Sequence, residues 1–194
     1  DLNISGGTVE MTTGGGSSTV KHTNDGGHWG DFHGGNGGFD FSELTSSDGA
    51  SAESMKGLKA GTSVNITGGN ITADCADDSI HSNGTVNIDG GTFQLATGDD
   101  GIHADDILTI TKGEINISTS YEGLEACGIE ISGGTITLRA SDDGINANDS
   151  DSGEISAYIS ISGGSITANA DGDGIDSNGT ISMSGGTLVV FGPT

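Results

Sequence analysis

Asp99-Asp100-Gly101-Ile102-His103 returns almost unchanged as Asp142-Asp143-Gly144-Ile145-Asn146. Looser copies stand at Asp77-Asp78-Ser79-Ile80-His81 and at Asp171-Gly172-Asp173-Gly174-Ile175-Asp176. Aligned on the apolar residue after each acidic turn, the chain gives Leu58, Ile80, Ile102, Leu124, Ile145 and Ile175. The first four are 22 residues apart, and the next two steps are 21 and 30. Self-similarity at a fixed period of this length marks a stacked repeat architecture.

Working outward, each repeat carries three short alternating runs. The first is Val64-x-Ile66, Val86-x-Ile88, Leu108-x-Ile110, Ile129-x-Ile131, Ile159-x-Ile161 and Ile181-x-Met183. A turn marked in five repeats by paired glycines, such as Gly68-Gly69 and Gly90-Gly91, leads to the second, Ile71-x-Ala73 through Leu188-x-Val190. The acidic turn follows, and then the third, Leu58-x-Ala60 through Ile175-x-Ser177. Alternation with period two predicts strands with one face inward. Three strands in about 22 residues leave no room for helices, and the ~4.8 Å strand spacing then sets the rise per turn. The expected fold is all-β: a right-handed parallel β-helix of about 22 residues per coil, three short strands per coil and roughly seven coils. No nine-residue period supports a calcium β-roll, and a sandwich would not keep this register. Asn83, Asp105, Cys127, Asn148 and Asn178 fall at the corner after the third run. Asparagine tolerates the left-handed conformation expected there and can hydrogen-bond to its counterpart in the next coil.

Residues 1–194 read as one β-helix domain. Ile4 to Met11 match the glycine turn and second strand of a coil. A Gly/Ser/His-rich excursion at about 12–54 interrupts the pattern, and a short insertion stands at about 149–157. The chain begins inside a strand-like segment, Leu2-Asn3-Ile4, and reads as a mature or a trimmed form.

Composition limits the partners. Glycine is abundant (37) and proline nearly absent (1), without the Gly-X-Y period of collagen. Lys and Arg total 5 against 28 Asp and Glu, for a formal charge of −23. Such a surface repels nucleic acid and anionic membranes and attracts cations. No run approaches the ~18 apolar residues of a membrane span, so no membrane insertion is expected. Cys75 and Cys127 lie about three repeats apart, ~14 Å at the strand spacing, beyond disulfide reach; two free thiols are expected.

Stacked repeats place Asp77/Asp78, Asp99/Asp100, Tyr121/Glu122, Asp142/Asp143 and Asp171/Asp173 along one edge. The next outward position adds Lys59, His81, His103, Glu125, Asn146 and Asp176. One such turn is ordinary turn chemistry with solvated acids. Five in a column with this net charge call for a cation, and Ca²⁺ with oxygen ligands at 2.3–2.6 Å spans the strand spacing. The expected calcium ligands are Asp77, Asp78, Asp99, Asp100, Glu122, Glu125, Asp142, Asp143, Asn146, Asp171, Asp173 and Asp176. Zinc is disfavoured because His81 and His103 make only a two-member ladder, and both read as exposed strand residues. Tyr121, Arg139, His81, His103 and Trp29 are the candidates for contact with carbohydrate.

The succession Asp99 to Asp105, Ser120-Tyr121-Glu122-Gly123-Leu124-Glu125 and Ala140 to Ala147 resembles the clostridial family of carbohydrate-binding, calcium-containing β-helix proteins. The resemblance covers about residues 55–194. It implies a pectate-lyase-like fold and a secreted or cell-surface bacterial protein. It also implies binding of cellulose-like polymers or polygalacturonate without catalysis. Calcium at the aspartate edge would be the cofactor, and a plant cell-wall-type polysaccharide the partner; a monomer is expected. A calcium-dependent lyase would need a base near the metal, and only Arg139 stands near the edge. A hydrolase would use a unique carboxylate pair, whereas here the acids repeat. A calcium-stiffened spacer or adhesin stalk is the remaining alternative.

Overall fold

The computed structural model describes residues 1–20, 54–149 and 155–192. The protein is all-β. Twelve strands form one sheet, and every pairing among the described residues is parallel. In chain order they are β1 (Leu2–Thr13), β2 (Leu58–Ala60), β3 (Ser63–Cys75), β4 (Ile80–Ser82), β5 (Thr85–Thr97) and β6 (Ile102–Thr119). β7 (Leu124–Ala140), β8 (Ile145–Ala147), β9 (Tyr158–Ala170), β10 (Asp176–Ser177), β11 (Thr180–Met183) and β12 (Thr187–Phe191) follow. The described residues contain no α-helix, only a 3₁₀ turn at Ser17–Thr19.

The register repeats the sequence period. Val64 pairs with Val86 and Ile66 with Ile88, and amide side chains in this register stand 22 residues apart. Two ladders result. The long one runs β1-β3-β5-β6-β7-β9 and ends on β11 and β12. The short one runs β2-β4-β6-β7-β8-β10, through the residues that follow the acidic turns. Across the insertion the step widens to 30, as in the Asn178–Asn148 hydrogen bond.

The first and second runs were expected as separate strands. They are instead continuous in β3 and β5, and in β6 and β7 all three runs join. Pairing resumes on both sides of each glycine turn, with the bend absorbed there. Gly69, Gly91 and Gly134 take φ of 111°, 103° and 86°, a region open to glycine and costly for other residues.

Alternate residues point inward and form columns. Val64, Val86, Leu108, Ile129 and Ile159 make one; Ile71, Phe93, Ile115, Ile136 and Ile166 another; Ile80, Ile102, Leu124 and Ile145 a third. All are essentially shielded from solvent. Full burial of each such side chain is worth roughly 1.5–3 kcal/mol, so a chain with 31% apolar residues still builds a continuous core. Cys75 and Cys127 are buried free thiols, as expected. The corner asparagines do bond between repeats, Asn178 Nδ2 donating to Asn148 Oδ1 at 3.0 Å. They do so without a left-handed backbone: no non-glycine residue has positive φ among the described residues. The cross-repeat side-chain bond, rather than backbone permissiveness, is what asparagine supplies there.

Candidate functional site

The acidic turns lie in register because their backbones bond directly. Gly101 N donates to Glu122 O at 2.9 Å, Gly123 N to Asp143 O at 3.1 Å and Gly144 N to Asp173 O at 2.8 Å. This approach is too close for a side chain. A Cβ on Gly123 would stand 2.4 Å from Gly144 O, and one on Gly101 2.5 Å from Gly123 O. The second acid of each turn also reaches the next repeat. Asp78 Oδ1 accepts Asp100 N at 3.2 Å, Asp100 Oδ1 accepts Glu122 N at 3.3 Å and Asp143 Oδ1 accepts Asp173 N at 2.6 Å. Carboxylate–amide bonds thus link successive repeats.

At the β2 end the column begins with a cation. Lys56 lies 22 residues before Asp78; its ammonium donates to Asp78 Oδ2 and, at 2.8 Å, to Asp77 Oδ1. Burial opposes the charge on Asp78, but the His81 hydrogen bond and the Lys56 charge bring its pKa down to about 2. Asp77, Asp78 and Asp99 bring one oxygen each within 4.8 Å of one another. Asp99 is raised to about 7, by burial first and then by the charges of Asp78 and Asp77.

His81 and His103 are not the exposed strand residues expected. His81 is only 6% accessible, and the two rings face each other with centroids 4.8 Å apart. The acids of the turns cover them. His81 Nδ1 lies 2.8 Å from Asp78 Oδ2; His103 Nδ1 lies 3.0 Å from Asp100 Oδ2 and 2.9 Å from Glu125 Oε2. Burial works against a charged His103, yet the hydrogen bonds it donates to Asp100, Asp105 and Glu125 hold its pKa well above the ordinary value. Glu125 falls to about 2, because the His103 contact outweighs burial. Asp100 is pushed well up by burial and by the Glu125 charge.

Glu122 and Asn146 occupy the next position. Asn146 Nδ2 donates to Glu122 Oε1 at 2.8 Å. Glu122 Oε2 and Asn146 Oδ1 are buried and have no partner. Buried polar atoms are satisfied in the great majority of cases, so these two oxygens are open to a hydrogen-bond donor or a cation. Glu122 rises to about 8, through burial and then the Glu125 charge.

Farther along, the acids open to solvent. Asp142, Asp143 and Asp176 are half-buried, and Asp171 and Asp173 exposed. Burial raises Asp143 to about 6. Tyr121 is half-buried, its phenol raised by burial and then by a hydrogen bond with Asp142. Arg139 is exposed and lies on a shallow groove with Thr119, Ser141 and Asp171. That groove continues past Thr97 and Ser120. Trp29 and most of the excursion lie outside the described residues.

The structure therefore gathers Asp77, Asp78, Asp100, Glu122, Asn146 and His81, all buried, with half-buried Asp99, Glu125 and His103 into one column. It leaves the Asp142–Asp176 end more open and sets Arg139 on the groove. Two participants were not singled out from sequence. Lys56 occupies the register position of the acids, one period ahead, so aligning the column one repeat earlier exposes it. Asp105 was read only as a corner residue; its Oδ1 faces both imidazoles.

The fold and site together are those of a parallel all-β protein with a carboxylate-rich edge and a polar groove. Two matches to one family model, over residues 1–101 and 98–192, identify the particular family: the chain belongs to the carbohydrate-binding domain-containing proteins. No curated protein and no solved structure matches the chain.

Proposed function

We propose that this protein is a non-catalytic, extracellular polysaccharide-binding module of bacterial origin. Family membership supports the carbohydrate partner. Its parallel ladders in a 22-residue register support a right-handed parallel β-helix of roughly seven coils. The observation that carries the binding site is the groove formed by Thr97, Thr119, Ser141 and Asp171. It draws these residues from successive repeats; Thr119, Ser141 and Asp171 are exposed and can offer hydroxyl and carboxylate oxygens to an extended glycan, whereas the buried Thr97 hydroxyl donates to Asp77 O. Arg139, on the same groove, is suited to a uronate carboxylate.

Calcium fits the acidic edge. Its oxygen preference matches the two orphaned atoms, Glu122 Oε2 and Asn146 Oδ1, and the more open set of Asp142, Asp143, Asp171, Asp173 and Asp176 would hold further ions. Bound there, calcium would neutralise carboxylates whose pKa values are raised first by burial and then by neighbouring charges.

Repetition of the acids along the whole edge favours binding over a lyase reaction, which needs one base at one centre, and two of the three described lysines are held by carboxylates. Lys56 is engaged by Asp77 and Asp78, and Lys112 by Asp89 at 2.8 Å. Neither is placed as a free base beside the acidic edge. Depletion of the protein by insoluble cellulose and by polygalacturonate gel, in calcium and in chelator, tests the proposal. Retention without release of unsaturated uronides is the expected result. Uronide release would establish the lyase, and no retention on any glycan would establish a spacer.

A further inference from the structure

Resting on the carbohydrate reading, we infer that Tyr158, held over Gly128 and flanked by Ile107, Thr109 and Ser160, is the platform of a second contact strip. Its ligand class is a neutral glycan, and it stands apart from the groove that holds Arg139.

Register puts the strip together. Ile107, Gly128 and Tyr158 pair in order across β6, β7 and β9. Two residues farther along the same strands stand Thr109, Glu130 and Ser160, with Asn87 of β5 next in that row. Alternation puts both rows on one face, because Leu108, Ile129 and Ile159 between them turn into the core. Asn87, Ile107, Thr109, Tyr158 and Ser160 are half-buried and Glu130 is exposed, so the rows face solvent.

The tyrosine is fitted in place. Gly128 leaves the space that the ring fills: a Cβ there would stand 2.5 Å from Tyr158 Cε1 and 2.8 Å from its hydroxyl oxygen. The phenol donates to Glu130 Oε1 at 2.8 Å. The side chain therefore reaches from β9 over β7 and is tied at its far end. With Gly128 beneath a half-buried residue, part of the ring is left to solvent. A pyranose packs its C–H side on an aromatic surface and turns its hydroxyls to polar neighbours. A ring already held serves best, because little side-chain freedom is lost on binding. Ile107 continues the apolar surface one strand beyond Gly128, and Asn87, Thr109 and Ser160 supply amide and hydroxyl groups alongside.

Charge selects the ligand. Glu130 is in the strip and Asp106 precedes Ile107, while no Lys or Arg is among these described residues. Lys112, farther along β6, is held by Asp89 at 2.8 Å. A uronate would meet carboxylates of its own sign here, and a neutral sugar would not. The turn at Gly133-Gly134 lies between Glu130 and Arg139 on β7, so one strand serves two surfaces of different charge.

The test uses the full chain with cellohexaose, a neutral β-linked oligosaccharide, and polygalacturonate as the acidic comparison. The chain has two tyrosines, Tyr121 and Tyr158, so isotopic labelling of the tyrosine rings gives two sets of NMR signals. Cellohexaose should move the set that is lost in Tyr158→Phe and leave the other in place. Tyr158→Ala should weaken cellohexaose by about tenfold or more, as truncation of an aromatic anchor does. Its retention on polygalacturonate should match the parent. Gly128→Ala, which keeps the ring and lifts it, should weaken cellohexaose in the same sense. Melting temperatures of the variants separate loss of fold from loss of ligand. Movement of the Tyr121 set alone, or of neither set, would overturn the strip, as would parent-level affinity in a folded Tyr158→Ala. Retention on polygalacturonate without cellohexaose binding would remove this site and leave the carbohydrate reading standing. Retention on no glycan would remove both.

Discussion

Asn146 Nδ2 donates to Glu122 Oε1 at 2.8 Å, while the second oxygen of each side chain is buried without a partner. One hydrogen bond thus holds two acceptors in a place that water does not reach. Under the calcium reading proposed above, a hard cation would satisfy them. We predict that calcium raises the melting temperature of the protein and that Glu122→Gln removes most of that rise. In chelator the same substitution should be neutral or stabilising, since it deletes a carboxylate pushed to about 8. Thermal scans of both proteins in both conditions check this; equal calcium shifts would refute it.

Metal-free stability should peak in mildly acidic solution. Asp99, Glu122 and Asp143 have folded pKa values of about 7, 8 and 6, above the ordinary carboxylate range. Their contribution is fully present below about pH 4 and is lost as pH climbs toward 8. Asp78 and Glu125, held at about 2, act in the opposite sense. Their contribution is present above about pH 4 and disappears as pH falls toward 2. Denaturation in chelator across pH 2–9 should therefore show a maximum near pH 4. Calcium should flatten the alkaline side, because it replaces the protons that those groups would otherwise keep.

Lys56 should matter more than a surface lysine. Its ammonium is the counter-charge of Asp78, whose side chain is 1% accessible. Lys56→Met strands that carboxylate and should cost about 3–5 kcal/mol, the usual penalty for breaking a buried pair. Lys56→Met combined with Asp78→Asn should cost less than the sum of the two changes. Urea titrations of the four proteins measure the coupling, and strict additivity would show that the pair is inert.

Two glycines separate close approach from turn chemistry. A Cβ on Gly123 would meet Gly144 O at 2.4 Å, whereas one on Gly61 meets nothing within 4 Å. Gly123→Ala should destabilise by about 1–3 kcal/mol, as overpacking does, and Gly61→Ala should lie within about 0.5 kcal/mol of the parent. Ile110→Ala, in the buried column, provides the scale: about 2–5 kcal/mol.

The fold was legible because its cause is periodic. Val64, Val86 and Leu108 recur at the spacing that puts one above another, and no long-range guess was needed to pair them. The break between strands was less so, since a glycine turn can end a strand or only bend it. The acidic edge was legible as a column but not as a network. Sequence shows that Asp78 and Asp100 share a position; it does not show that each caps the amide of the next turn. Nor does it show that His81 is shielded, because a strand residue facing outward becomes buried only when longer neighbours fold over it. Asp105 joined the site through a corner geometry that no alternation predicts. Lys56 carried the clearest missed signal, for it sits in register with the acids it neutralises.

The ladder register also makes the body of this protein quantised in length. Each inward row touches only the rows before and after it. Excising residues 102–123 would join Gly101 to Leu124 and leave Ile80 facing Leu124, with every apolar column one member shorter and otherwise unbroken. Loss of half that span would turn those columns toward water. A binding surface on such a scaffold can be lengthened or trimmed to suit a polymer, but only in whole steps.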